Sequence, residues 1–410
     1  MKNIITAFFF FAAASIYGQT AKVMTGADLL ISENMELIKG KTLGIVTNHT
    51  GVLSNGIHIV DTLNKMHGIK IAALFGPEHG IRGDAPDGIS LEHGADAKTG
   101  IKVYSLYGAV SKPDAEMLKG IDALVYDIQD VGARFYTFIS TMYYILEAGA
   151  ENNIPVIVLD RPNPINGLQV EGPIRDSSLS SFVGIAPVPI TYGLTAGELA
   201  EYFNNEELTK KGLKANLTVV KMKNWKREMF YDETGLAWIK PSPNIPFVET
   251  AMIYPGTCLI EGTNVSEGRG TMNPFLTIGA PYINPGELIA ELNKAGVKGV
   301  KLDTISFTPK EIPNMAKTPK HDNKLCRGIK ITVTDKTALR PVEFGIKLLC
   351  ALQKLYPQDF TIKERGLERL LGDKNGFEKI TSGETAQDII ASWDRDLDIF
   401  KSVREKYIIY

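Results

Sequence analysis

The segment Gly76-Pro77-Glu78-His79-Gly80-Ile81-Arg82-Gly83 sets a carboxyl, an imidazole and a guanidinium side by side. A carboxyl and an imidazole can give or take a proton, and a guanidinium can hold a carboxylate through paired hydrogen bonds. Other segments share this character: Asn48-His49, Asp127-Ile128-Gln129-Asp130-Val131-Gly132-Ala133-Arg134-Phe135-Tyr136, and Asp160-Arg161-Pro162-Asn163-Pro164. Later in the chain, Glu261-Gly262-Thr263-Asn264-Val265-Ser266-Glu267-Gly268-Arg269-Gly270-Thr271 sets acids and an arginine among glycines. It reads as a loop that a ligand approaches closely, or as a solvated turn with a surface ion pair. A proline-rich stretch with Ser242 and Asn244 is either a linker or a rigid wall of a cleft.

Glu, Asp, Arg, His and Tyr gathered in this way suit hydrolysis of a glycosidic bond. One carboxyl gives a proton to the leaving oxygen while another group manages the far face of the sugar. A carboxyl stays protonated near neutral pH when it is buried or close to negative charge. Glu78, between Pro77 and a glycine-flanked His79, can be desolvated in that way. Arginines nearby would suit a sugar that carries a carboxylate. Other chemistries lack their marks. There is no Gly-x-Gly-x-x-Gly after the first strand and no Gly-x-x-x-x-Gly-Lys-Ser/Thr phosphate loop. No His-Glu-x-x-His spacing exists for zinc, and neither Ser54 nor Ser140 stands in a Gly-x-Ser-x-Gly elbow. No cofactor or metal is expected. A metal-dependent hydrolase built on His79, His93 and aspartates is the outlying alternative.

What positions these residues is legible around them. Leu43-Gly44-Ile45-Val46-Thr47, residues 69–75, Ala123-Leu124-Val125-Tyr126-Asp127 and Pro155-Val156-Ile157-Val158-Leu159-Asp160 are apolar runs of strand length. Helices are predicted between them, over 57–66 and along Phe138, Met142, Ile145, Leu146 and Gly149. Apolar strands alternating with helices predict a parallel sheet covered on both faces. The polar segments then leave the strands at one edge, where ligands bind open α/β sheets. Thr195-Ala196-Gly197-Glu198 has capping-box spacing, so Glu198 is read as a helix cap rather than a catalytic group. Leu217-Thr218-Val219-Val220 adds a strand. From about Pro241 a second unit mixes strands and helices. Asn284-Pro285 opens a helix, 329–334 alternates as a half-buried strand, and 342–355 and 386–407 read as helices.

The 410 residues are enough for two domains. A net charge of -2, with no Lys/Arg block, gives no case for nucleic acid as a partner. Met1-Lys2-Asn3 leads into an apolar run to about Tyr17, with small residues at Ser15 and Gly18. This is the pattern of a secretory leader, shorter than the ~20 apolar residues of a membrane span. A buried N-terminal helix is the alternative, and no later stretch approaches a span. The expected division is a leader over 1–19, a sheet domain over 22–245 and a smaller domain over 246–410. Cys258, Cys326 and Cys350 have neither metal-ligand spacing nor the density of a disulfide framework. They are read as small buried apolar residues, with one disulfide as the alternative.

Five motifs carry a family resemblance: Gly-Pro-Glu-His-Gly-Ile-Arg-Gly from Gly76, Tyr-Asp-Ile-Gln-Asp-Val-Gly-Ala-Arg-Phe-Tyr-Thr from Tyr126, Asp-Arg-Pro-Asn-Pro from Asp160, Pro-Ser-Pro-Asn-Ile-Pro from Pro241, and the run from Glu261 to Thr271. Together and in this order they resemble the exo-β-N-acetylmuramidase family NamZ, from about residue 22 to the C-terminus. The resemblance implies a Rossmann-like domain followed by a smaller mixed α/β domain, with the active site in the cleft between. It implies release of N-acetylmuramic acid from the non-reducing ends of peptidoglycan fragments, so muramic acid saccharides are the expected partners. By this likeness Glu78 is the catalytic carboxyl, with His79 beside it. The second group is Asp127 or Asp130, or else the substrate's own 2-acetamido group. Arg82, Gln129, Arg134 and Tyr136 should line the cleft, and Glu261, Asn264, Glu267 and Arg269 close it from the other domain. The strand ends add Asn48, Asp160, Arg161 and Asn163, and the proline-rich stretch adds Asn244. Arg82, Arg134 or Arg269 would hold the lactyl carboxylate. An exported muropeptide-binding protein without catalysis is the rival reading.

Overall fold

Strands with no polar face need cover on both sides, and such strands form the centre of the computed structural model, which describes residues 21–83 and 93–410. The leader pattern lies outside the described residues. The chain runs through α1 (Gly26–Glu33), β1 (Thr42–Thr47), α2 (Ile59–Leu63), β2 (Lys70–Gly76), β3 (Gly94–Ala95), β4 (Lys102–Ser105) and β5 (Ala123–Asp127). It continues with α3 (Phe138–Glu151), β6 (Val156–Leu159), β7 (Val170–Glu171), β8 (Thr191–Tyr192), α4 (Ala196–Tyr202) and β9 (Leu217–Val220). Seven strands form one sheet in the order β3-β4-β2-β1-β5-β6-β9, parallel except for the β3–β4 pair. Without the short β3 this is the Rossmann order, and the order in which strands are added reverses between β1 and β5. Thr47 and Asp127 stand opposite each other at that switch point.

Side chains alternate between faces along each strand. Ile45, Val125, Ile157 and Leu159 pack with Ala27, Leu30, Ile59 and Leu63 on one side of the sheet. Val46, Leu124, Tyr126, Val156 and Val158 pack with Met142, Ile145 and Leu146 of α3 on the other. The near-continuous apolar runs are therefore two buried faces interleaved. The capping box holds as well: Thr195 accepts from the Glu198 backbone N–H, and the Glu198 carboxyl accepts from the Thr195 N–H. The helix expected over 57–66 is shorter. His58 caps its start by accepting from the Val60 N–H, and the chain turns away after Leu63.

The second unit contains α5 (Val248–Thr257), β10 (Thr277–Ala280), α6 (Pro285–Lys294), β11 (Val300–Phe307), β12 (Cys326–Val333), α7 (Pro341–Leu355), α8 (Glu364–Leu371), α9 (Lys374–Ser382), α10 (Ala386–Ala391) and α11 (Asp394–Arg404). Its three strands form an antiparallel sheet in the order β10-β12-β11. The single helix expected over 386–407 is broken at Trp393, whose indole N–H donates to Asp373 2.7 Å away. All three cysteines are unbonded. The two units share one apolar core. They are also tied by polar contacts: Gln169 donates to the Leu339 carbonyl, Glu171 accepts from the Val342 N–H, and the C-terminal Tyr410 donates to Asp160. Among the described residues no helix is long and apolar enough to cross a membrane.

Candidate active site

The loop after β2 turns at once: the Gly80 N–H bonds back to the Pro77 carbonyl, and His79 takes a left-handed conformation at φ 72°. A non-glycine residue in that region costs roughly 1–2 kcal/mol, and such strain collects at functional sites. Gly83, at φ +77°, leaves room for His49. A Cβ there would sit 2.5 Å from the imidazole. His49 in turn donates to the Lys240 carbonyl at 2.8 Å, and burial lowers its pKa. Asn244 donates to the Met315 carbonyl at 2.7 Å. The proline-rich stretch is thus a wall fastened to the β1 loop and to the second unit, not a free linker.

Among the described residues, everything over 73–81 is buried except Glu78, and everything over 123–140 is buried except Thr137. These two meet: the Thr137 hydroxyl donates to Glu78 Oε2 at 2.9 Å. Two otherwise sealed loops therefore open at the same point, and the group presented there is a carboxyl.

The structure removes several expected residues from that opening. Asp127 was expected as a catalytic group. It is fully buried, and both its oxygens are held by Arg161, at 2.6 and 2.9 Å. Arg161 is thereby consumed as well. Arg134 is fully buried and donates to the carbonyls of Pro173, Val188, Leu370 and Leu371, joining the β5 loop to the end of α8. Desolvation lowers its pKa to about 9. Arg82 is forked between Asp61 and Asp96 at 2.9 and 2.8 Å, and its bond holds the Asp96 carboxyl well below the usual range. Asp160 accepts from the Gly197 N–H and from the hydroxyls of Thr195 and Tyr410. Burial pushes it up to about 7. Asn163 spans the Leu194 carbonyl and the Ile165 N–H, against Gly132. Asn264 bonds Tyr282, the Asp359 carbonyl and the Thr361 N–H. These groups brace the site instead of lining it.

Others remain available at the switch point. Asn48 accepts from Thr50 with its oxygen, which fixes its amide, and its Nδ2 has no partner. Gln129 donates to the Asp130 and Pro162 carbonyls and leaves its Oε1 unmatched. Asp130 accepts from the Tyr192 hydroxyl and the Gly132 N–H through one oxygen and leaves the other unmatched. Burial raises its pKa to about 6, so its protonation changes just below neutral pH. Each buried polar atom left without a partner costs about 1–3 kcal/mol, so a group of them marks where polar matter is received.

The second unit meets this region through aromatic rings. Tyr136 packs edge-on to Tyr254 at 5.9 Å, Tyr254 packs against Phe275 at 4.9 Å, and the Arg269 guanidinium lies 5.1 Å over Phe275. Arg269 is half-buried and pairs with Glu261 at 2.8 Å. Burial raises the Glu261 carboxyl despite that partner. Glu267, more deeply set, pairs with Lys320 at 2.9 Å. Sequence reasoning did not single out Lys320 or Thr137. Thr137 closes the motif that begins at Tyr126, but nothing in its type or spacing marks it as a partner of Glu78. The His93 ring accepts from the N–H of Ser105, the register partner of Gly76.

Comparison with known proteins accounts for nearly the whole chain. The model of the exo-β-N-acetylmuramidase NamZ N-terminal domain matches residues 43–249, and that of the C-terminal domain matches 252–410. The chain is 47% identical over 396 residues to the peptidoglycan β-N-acetylmuramidase NamZ of Bacillus subtilis strain 168, covering 96% of this chain and 93% of that one. Two crystal structures of DUF1343 family proteins from Bacteroides fragilis resemble it. One has TM-score 0.87 at 36% identity and the other 0.76 at 34%, each covering 95% of this chain and 99% of its own. The chain belongs to the NamZ family of exo-β-N-acetylmuramidases.

Proposed function

We infer that this protein is an exo-acting glycosidase that releases N-acetylmuramic acid from the non-reducing ends of peptidoglycan fragments. Family membership gives the reaction, and one observation carries the site: Glu78 is the carboxyl at the point where two sealed strand-end loops open. Protonated Glu78 gives its proton to the glycosidic oxygen as the bond from that oxygen to the sugar C1 breaks. The leaving saccharide departs as an alcohol, and positive charge builds on the sugar ring. Water then bonds to C1 and supplies the hydroxyl of free N-acetylmuramic acid, either directly from the opposite face with the help of a base, or after a nucleophile or the substrate's own acetamido oxygen has first bonded there. Asp130 is the protein group suited to orient or deprotonate there, with one carboxyl oxygen unmatched. Arg82 and Arg269, both partly exposed and each paired with acids, are the arginines suited to the lactyl carboxylate, since Arg134 is fully buried and held by four carbonyls. The leader pattern supports action outside the cytoplasm, in the periplasm or beyond. N-terminal sequencing of the exported protein checks this, and an intact Met1 would count against it.

Incubation of the wild-type protein with a disaccharide that begins in N-acetylmuramic acid tests the reaction. Free N-acetylmuramic acid should accumulate. Binding without release would favour the muropeptide-binding alternative.

A further inference from the structure

We infer that Thr137 is a positioning residue for the glycosidase reaction, holding Glu78 through one carboxyl oxygen so that the other faces the glycosidic bond. The inference rests on the glycosidase reading and adds a residue to it. Thr137 occupies the N-cap of α3, where a threonine hydroxyl ordinarily accepts from the helix's own N–H groups. Here it makes no such cap. Its hydroxyl is turned outward and donates to Glu78 Oε2 at 2.9 Å. The backbone beneath it is fixed: the Ser140 and Thr141 N–H groups bond the Thr137 carbonyl, and the neighbouring Tyr136 and Phe138 rings are buried edge-on at 4.8 Å. The backbone at Thr137 is already helical, at φ -68° and ψ -11°, so the hydroxyl is placed to donate outward rather than to cap.

The consequence is chemical. With Oε2 accepting from Thr137, the transferable proton of Glu78 sits on Oε1. As that proton moves to the glycosidic oxygen, Glu78 becomes a carboxylate, and a hydrogen bond to an ionised acceptor is about twice as strong as one to a neutral acceptor. The Thr137 bond therefore tightens as the barrier is crossed. The N-terminal end of the fourteen-residue α3, with its positive dipole, favours the same charge. An interaction that strengthens only in the transition state raises kcat and leaves KM alone.

Thr137→Val keeps the shape and removes the donor. It should lower kcat on a muramic acid disaccharide roughly ten- to a hundredfold, with KM within about twofold. Thr137→Ser, which restores the hydroxyl, should recover most of the loss. Thr137→Ala repeats the test should the valine variant unfold. Placed in a Glu78→Gln background and assayed on an aryl muramic acid glycoside, Thr137→Val should cost less than about twofold further, because the proton it assists is gone. An unchanged kcat in the single variant, or an equal loss in both backgrounds, overturns the role of Thr137. A wild-type protein that releases no monosaccharide overturns the glycosidase reading instead.

Discussion

The loops after β2 and β6 have similar sequences and opposite fates. Glu78-His79-Gly80-Ile81-Arg82 and Asp160-Arg161-Pro162-Asn163 each place an acid and an arginine past the carboxyl end of a parallel strand. In the β6 loop every one of these polar groups is buried and taken: Asp160 by Thr195, Gly197 and Tyr410, Arg161 by Asp127, and Asn163 by Leu194 and Ile165. In the β2 loop the arginine is also taken, but Glu78 stays half-open with a threonine at its back. A reacting group must be reached by substrate, while a bracing group must be closed off so that its bonds are strong. The β2 loop keeps a partly exposed carboxyl, while the β6 loop, on the far side of β1 and β5, is closed by its own bonds.

Two substitutions break this contrast on the bracing side. Arg161→Ala leaves Asp127 charged and buried without a partner, which costs about 3–5 kcal/mol and should lower the urea midpoint sharply. Any activity loss should follow the unfolded fraction. An Arg161→Ala protein as stable as wild type would show that the β6 loop is not a brace. Arg134→Met takes the guanidinium donor from four carbonyls and should cost about 2–3 kcal/mol. Amide exchange should quicken first in α8, whose last carbonyls Arg134 holds. Protection unchanged in α8 would deny Arg134 its place between the units.

The smallest effect is a pH dependence. Burial raises the Asp160 pKa from 3.8 to about 7 in the folded protein. The folded state then holds a proton that the unfolded state has lost. That stabilisation is full below about pH 4 and disappears as pH rises through about 7. Asp130, raised to about 6, and Glu171, raised to about 7, act in the same direction. Wild-type stability measured by urea unfolding should fall between pH 5 and pH 8. In Asp160→Asn it should fall less, because the amide has no proton to lose in this range, and the hydroxyls of Thr195 and Tyr410 can turn to accept from it. Identical slopes would mean that Asp160 stays ionised throughout.

The sheet was legible because periodicity reports burial on both faces, as in β1, β2, β5 and β6. The short β4 was not, since Lys102-Val103-Tyr104-Ser105 contains no apolar run. The break at Trp393 depends on Asp373, a partner on another helix. At the site, the polar strand-end loops were legible, and which of their arginines and aspartates are held by buried partners was not, for one reason. A charge at a strand end looks the same in sequence whether it faces substrate or a buried partner. The partners of Arg82 are Asp61 and Asp96, and those of Arg134 include Leu370 and Leu371. Only folding brings them close.

The account turns on Glu78. Its most direct test is kcat of Glu78→Gln on a muramic acid disaccharide, measured together with the unfolding midpoint. The glutamine keeps the shape and an acceptor for Thr137 but has no acidic proton to give. A fall of roughly 10²–10⁴-fold in kcat with an unchanged midpoint is the predicted result. Near wild-type turnover in a folded Glu78→Gln protein would place the reacting carboxyl elsewhere.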